Sequence, residues 1–384
     1  MSLNISLSLL QNYWWFLICI LGGALVFMLF VQGGQSLIFQ YAAGEEEKTL
    51  LINSLGRKWE LSFTALVVFG GTVFASFPLF YAVSFGGAYW LWILLLFTCV
   101  LQAVSYEYRK KAGNFFGPRV YEIFLFVNGT FSSFLLGVIV ATFFTGSQFS
   151  VDLHNVSDPA SLLICRWENR WHGLEALANP WNIVLGGTFL FLSRVLGILY
   201  FITTIRQEEL SVKGRLHLLY NAIPFLLFFI AFFVYVLTKE GLLYDARFHL
   251  FFYEPYKYLK NLGEMPLVLL LLVAGVLTTL AGLIQPFVKD ERKAFYVAGT
   301  GVFLVAFSLL ALAGFNHTAF YPSVFDMQSS LCIANASSGQ YTLTVMAYVS
   351  VLLPIVAGYI FYAWKKMNNK PLDKEELEKQ SHRY

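Results

Sequence analysis

Glu60 is the residue best placed for chemistry in this sequence. It follows Gly56-Arg57-Lys58-Trp59 and opens an apolar run containing Gly70-Gly71, Phe74-Ala75 and Pro78, then Tyr81-Ala82, Phe85, Gly87 and Tyr89. A carboxylate at the mouth of a membrane span costs roughly a few kcal/mol unless it faces protein or water, and such acids commonly take up and release protons. The competing reading is structural. Glu60 would then pair with Arg57 or Lys58, or sit in a helix first turn where the dipole favours an acid. The residues leave both open. Trp59 would anchor the helix end, and Gly70 and Gly71 would let another helix press close.

Other polar residues stand inside apolar runs. Gln32-Gly33-Gly34-Gln35 puts two amides on one helix face beside a glycine pair that permits close packing; interhelical hydrogen bonding is the preferred reading over a ligand site. Gln102 lies within a later run. Glu122, a turn inside another that begins with Pro118, reads as an interfacial acid in preference to a second polar contact. Arg194 falls near the middle of a span and must face the bundle interior and find a polar partner. Glu60, Gln32, Gln35 and Gln102 are thus the polar-path candidates; Trp59, Arg194, Gly70 and Gly71 are structural or interface candidates.

The elements that position these residues are membrane helices. The chain is 58% hydrophobic and 13% charged, against about 45–50% apolar and about 25% charged in soluble domains. Apolar segments of about 20 residues lie near 13–40, 60–83, 86–108, 119–144, 181–205, 216–238, 265–287, 295–315 and 340–364. That predicts nine spans in one integral membrane domain. The first apolar segment is too long, and too poor in basic flanking residues, for a cleavable signal peptide. Trp14-Trp15 reads as an aromatic interface anchor, and Glu107-Tyr108-Arg109-Lys110-Lys111 as a cytoplasmic anchor.

Lys and Arg cluster on one side: Lys48, Arg57 and Lys58; Arg109 to Arg119; Arg206 to Arg215; Lys289 to Lys293; and the tail from Lys365. The positive-inside rule puts that side in the cytoplasm, with the N-terminus outside. The same cations form no basic groove for nucleic acid.

The outside loops 145–180, 239–263 and 316–340 are polar and aromatic, with His154, Asp158 and Trp171 in the first. The loop 239–263 reads as an interfacial cap. The charged stretch 373–379 predicts a short surface helix. The four cysteines show no metal or redox spacing. Cys165 and Cys332 fall in outside loops where a disulfide would persist, although two unrelated thiols is the preferred reading. His154, His172, His249 and His317 lie in or beside outside loops, His217 at a cytoplasmic boundary and His382 in the tail. This excludes a haem held by a mid-span histidine. No metal cluster, phosphate loop or Ser/His/Asp signature appears.

These pieces resemble subunit II of cytochrome bd-type quinol oxidases across the whole chain. The resemblance rests on Trp59-Glu60, Gly70-Gly71, Phe74-Ala75, Pro78, Tyr81-Ala82, Phe85, Gly87 and Tyr89. Towards the end it rests on Pro322-Ser323, Ala336-Ser337-Ser338, Thr342-Leu343-Thr344, Pro354, and Leu377-Glu378 to Tyr384. Three positions depart. The family commonly has Asp-Gly-Phe-Asp where Gln32-Gly33-Gly34-Gln35 stands. It has Trp-Asp, then Asn and Gln or Glu, where Trp59-Glu60 precedes Leu61-Ser62-Phe63. It often has Arg at Gln102. Loss of an acid and a base together avoids stranding one buried charge.

The resemblance implies an all-α polytopic fold of two four-helix bundles, 1–145 and 180–364, the second carrying a peripheral extra helix, with a cytoplasmic tail at 365–384. It implies a bacterial inner-membrane complex that oxidises quinol and reduces dioxygen to water without pumping protons. It places haems b and d in a partner subunit I and admits a small accessory subunit, membrane lipid and a structural quinone. Glu60, with Gln32, Gln35 and Gln102, would supply protons from the cytoplasm. An ion-coupled secondary transporter, signalled by broken helices in matching halves, and a purely structural scaffold subunit are the alternatives.

Overall fold

A carbonyl or amide without a partner is too costly in hydrocarbon, so runs this apolar can only fold as helices. The computed structural model describes residues 6–111, 113–152, 164–205, 208–288 and 293–368. His154, Asp158, Arg206, Lys289, Arg292, His382 and the stretch 373–379 lie outside them. The helices are α1 (Leu7–Met28), α2 (Phe30–Ser36), α3 (Ile38–Tyr41), α4 (Glu45–Gly56), α5 (Trp59–Ser76), α6 (Pro78–Tyr81), α7 (Tyr89–Tyr108) and α8 (Pro118–Thr145). They continue with α9 (Pro180–Thr204), α10 (Glu208–Thr238), α11 (Lys257–Glu264), α12 (Pro266–Val288), α13 (Ala294–Gly314), α14 (Ile333–Ala336), α15 (Gln340–Ser350) and α16 (Leu353–Met367).

Among the described residues, eight helical stretches are long and apolar enough to cross a membrane; α15 and α16, bent by 42°, make a ninth if they are one span. The fold is an all-α polytopic membrane protein. α5 stops at Ser76 because Pro78 lacks the amide to continue the ladder. The turn back into α7 is a π-helix, Ala82–Gly87. It is braced by Phe85 stacked on Trp92 with ring centroids 3.7 Å apart.

The loops expected outside hold short antiparallel pairs as well as helix. β1 (Phe149–Val151) pairs with β2 (Cys165–Trp167), β3 (Gly241–Asp245) with β4 (Leu250–Glu254), and β5 (Ala319–Tyr321) with β6 (Leu331–Cys332). The loop 239–263 is therefore a hairpin followed by α11. One face of that hairpin packs on β5 and β6 through Leu242, Tyr244 and Phe251. Cys165 and Cys332 are both free thiols, and burial pushes the Cys332 thiol up to about 11.

α1 packs on α5 and α13; α2 lies between α8 and α9; α9 also meets α8 and α10, and α12 meets α13. Gly33 makes the tightest of these joints. A Cβ there would overlap the Ser193 carbonyl on α9, as the glycine pair leads one to expect. Two other sequence expectations are corrected. Trp14 and Trp15 are 6% and 1% exposed and pack inside the protein, not against lipid headgroups. Their indole N–H groups donate inside the protein, to Leu343 O and Leu310 O at 3.2 Å each. At Gly71 no atom outside its own helix comes within 4 Å of a Cβ, and at Gly70 only Phe85 does. No helix of this chain presses on that pair, and α5 runs unbroken through it.

Candidate functional site

Gln32 and Gln35 lie three residues apart on α2 and so share a face, while Gly33 and Gly34 turn towards α9 and α4. That face looks onto α7, where Gln102 and Tyr106 lie one turn apart. Gln35 Nε2 donates to Gln102 Oε1 at 2.9 Å and to Tyr106 Oη at 3.0 Å; Gln32 Nε2 reaches Gln102 Oε1 at 3.3 Å. From α8, Asn128 Nδ2 donates to Gln35 Oε1 at 2.7 Å and to Gln102 Oε1 at 2.6 Å. From α5, Ser62 Oγ donates to Gln32 Oε1 at 2.9 Å. Gln35, Gln102 and Asn128 are 0% exposed. Four helices thus meet in one neutral node, and the two positions where the resemblance expects acid and base are in direct contact.

Glu60 stands beside this node and outside it. It is exposed, in the first turn of α5, two residues before Ser62. Its neighbour Trp59 stacks on Tyr106, centroids 5.5 Å apart and planes 12° from parallel. The expected pairing with Arg57 or Lys58 is corrected: among the described residues Glu60 makes no ion pair. Lys58 Nζ instead lies buried, without a hydrogen-bond partner among the described residues, 4.2 Å over the Trp364 ring of α16. Arg57 donates to Met367 O at 3.4 Å. The dipole position of Glu60 holds.

Glu122 corrects a further expectation. It is 1% exposed, a buried polar contact and not an acid open to solvent. Arg109, expected as a surface anchor, is buried against it with Nη2 at 2.7 Å and Nε at 3.2 Å from Glu122 Oε1. Lys48 Nζ stands 3.6 Å from Glu122 Oε2 and 2.8 Å from the exposed Glu45. The signal was in the spacing. Gln102 and Tyr106 on α7 and Arg109 at its C-cap follow i, i+4, i+7, which is one buried stripe, and Asn128 and Glu122 meet it from α8.

Arg194 does not join the node. It is half-buried on α9, and its guanidinium donates to the Gln40 side chain of α3. The described histidines stand away from mid-span. His172 contacts Gly87 O at 3.2 Å, His249 contacts Tyr244 Oη at 2.8 Å, His317 lies in the turn after α13, and His217 is near the start of α10. Between the helices lies a cavity of about 290 Å³ lined by apolar side chains, including Phe69, Trp92, Phe143, Leu192, Phe229 and Val302. A second cavity of about 530 Å³, beside the loops, has Ser84, Thr145, Glu175, Asn182 and Tyr321 in an otherwise largely apolar lining; Trp92 and Ile139 line both cavities.

A family profile described as cytochrome bd terminal oxidase subunit II matches residues 10–367. An Escherichia coli protein named cytochrome bd-I ubiquinol oxidase subunit 2 is 24% identical over 98% of this chain and 99% of its own. A Bacillus subtilis protein named cytochrome bd ubiquinol oxidase subunit 2 is 24% identical over 93% of this chain and 96% of its own. A chain of the solved bd oxidase from Geobacillus thermodenitrificans shares the fold, with a TM-score of 0.63 at 11% identity over 93% of this chain and 98% of that one.

Proposed function

The chain belongs to the family of cytochrome bd terminal oxidase subunit II, and from that premise we propose that it is the haem-free half of a membrane quinol oxidase. Its partner, subunit I, carries the b- and d-type haems that accept electrons from quinol and reduce dioxygen to water. The described histidines of this chain are not arranged to hold a haem within the bilayer, which supports that division. α1, α2, α5, α7 and α8 form one bundle, α9, α10, α12 and α13 the other, and α15 and α16 the peripheral addition. The charge distribution supports a cytoplasmic C-terminus. Gly70 and Gly71, untouched within the chain, suit a face that another subunit covers.

The observation that carries a proton-supply role is the buried amide node beside Glu60. Oxygen reduction consumes protons in a low-dielectric complex. Glu60 is the titratable group at the cytoplasmic mouth of span two, and Ser62, Gln32, Gln35 and Gln102 extend polarity inward from it. The apolar cavity and its neighbour, where polar side chains first enter the lining, suit the tail and head of a structural quinone or lipid.

The test is co-purification. A tagged chain expressed with its genomic partner should yield a complex with b- and d-type haem absorption and quinol-dependent oxygen consumption. A chain that purifies alone, or that moves an ion across vesicle membranes without haem, would favour the transporter instead.

A further inference from the structure

Arg194 is the charge that the functional reading leaves unused. Its backbone lies well inside α9, yet its guanidinium reaches the Gln40 side chain on α3, past the end of the first span at Ser36. A long cationic side chain that leans towards the end of its span carries its head to headgroup depth. The charge distribution makes that the cytoplasmic leaflet.

The head is only partly satisfied. Nη2 donates to Gln40, while Nε is buried without a hydrogen-bond partner among the described residues. Among the same residues Arg194 makes no ion pair. Glu47, whose charge is felt at Tyr41, is already taken: its Oε2 stands 3.5 Å from Lys213 Nζ and accepts from Ala43 N at 2.7 Å. On α10, the His217 ring lies 5.5 Å from the Tyr41 ring and feels the charges of both Arg194 and Lys213. Three elements thus bring an unneutralised guanidinium, a lysine shared with one acid, and an imidazole to one place.

Water would satisfy Nε and leave the charge unanswered. A group with several anionic oxygens answers both, and the planar fork of arginine matches phosphate in particular. The surroundings say which phosphate. From this end of α10, Leu216, Tyr220, Ile223 and Leu227 follow one face into the membrane, and all four are exposed; Phe39, next to Gln40, is exposed too. A free phosphate would leave that apolar stripe uncovered, whereas a phospholipid covers it with its chains. Basic pockets between spans on the cytoplasmic side hold anionic headgroups in this way. Arg194 lines neither of the two cavities described above, so this lipid is distinct from a molecule held there.

We propose that Arg194, with Lys213 and His217, holds the phosphate of an anionic phospholipid of the cytoplasmic leaflet, whose acyl chains lie along the Leu216–Leu227 stripe of α10. The lipid closes the groove between α3, α9 and α10 and neutralises the charge that no side chain meets.

The experiment is native mass spectrometry of the assembled complex, stripped of lipid in mild detergent and titrated with phosphatidylglycerol. Phosphatidylcholine serves as the zwitterionic control and inorganic phosphate as the competitor. The wild type should bind phosphatidylglycerol in preference to phosphatidylcholine. Arg194→Gln should weaken that binding roughly tenfold or more, the scale of a lost hydrogen bond to a charged group, with the complex still assembled. Arg194→Lys keeps the charge and loses the fork, and should weaken it severalfold; it decides the matter if the glutamine variant fails to assemble. Unchanged binding in the variant that assembles overturns the proposal, as does equal binding of the two lipids. Displacement of the lipid by equimolar inorganic phosphate overturns the lipid in favour of a free anion. A carboxylate of the partner subunit seated on Arg194 in a map of the complex overturns it in favour of a subunit contact.

Discussion

The two halves of the molecule hold their helices together by different means. In the first half, α2, α5, α7 and α8 meet through Gln32, Gln35, Ser62, Gln102 and Asn128, with the Arg109–Glu122 pair below. Small residues make close approaches in both halves, Gly129 of α8 against the α2 backbone in the first, but among the described residues the spanning helices of the second half are not joined by a comparable side-chain network. A Cβ on Gly275 would meet Gly301 O at 2.9 Å, and one on Gly282 would strike Ala298. The hydroxyls there mostly cap their own helices, as Thr279 donates to Gly275 O at 2.8 Å and Ser308 to Leu304 O at 2.8 Å. In a bilayer, burying apolar surface between helices gives little net drive, so close packing and interhelical hydrogen bonds must supply it. Close packing is indifferent to chemistry. A polar network fixes which groups meet, and it is the half with the network that has polar groups leading inward from Glu60.

The joint between the halves is where the largest effect is expected. Gly33→Leu would drive a side chain into the Ser193 backbone, which cannot move away without displacing α9. No haem-bearing complex should accumulate in membranes; normal accumulation would mean that α2 and α9 are not in contact. Next in size is Arg109→Leu, which takes from Glu122 its close partner and leaves it only Lys48 at 3.6 Å. Breaking a buried pair costs about 3–5 kcal/mol, so thermal stability of the complex should fall markedly. Adding Glu122→Leu should restore most of it, and a double variant as weak as the single would refute the pairing.

Smaller effects separate the two modes of packing directly. Gln35→Leu removes bonds to Gln102 and Tyr106 and leaves Asn128 short of an acceptor. A loss of about 1–3 kcal/mol is expected, the cost of stranding buried partners. Thr279→Val in the second half removes only a bond to its own helix, whose net worth is about 0.5–1.5 kcal/mol. Matched unfolding measurements on the two variants check this. Equal losses would erase the distinction between the halves.

How much of this was legible in the sequence follows from what each signal measures. Hydropathy marked the spans because the bilayer sets their length. Gln32, Gln35 and Gln102 stood out because amides are rare in such runs. Asn128 was overlooked as one more small polar residue, and Tyr106 as one more aromatic, since a lone residue does not reveal its facing helix. Glu122 was misplaced for a related reason. Its depth along α8 looked interfacial, but burial is decided by Arg109 on another helix and Lys48 on a third segment. Trp14 and Trp15 have the composition of an interface belt, yet α13 and α15 cover them. The glycines show the same limit: Gly33 and Gly70 are alike in sequence, and only the neighbour at hand makes one a contact.

The central claim is that protons for the oxygen chemistry enter through Glu60 and the node behind it. Glu60→Gln tests it most directly, since the amide is nearly isosteric and does not titrate. The variant complex should show the wild-type haem spectrum with quinol oxidase turnover reduced roughly 10²-fold or more, the usual loss for a proton-transfer group. Full turnover in an intact, haem-loaded complex would contradict the claim.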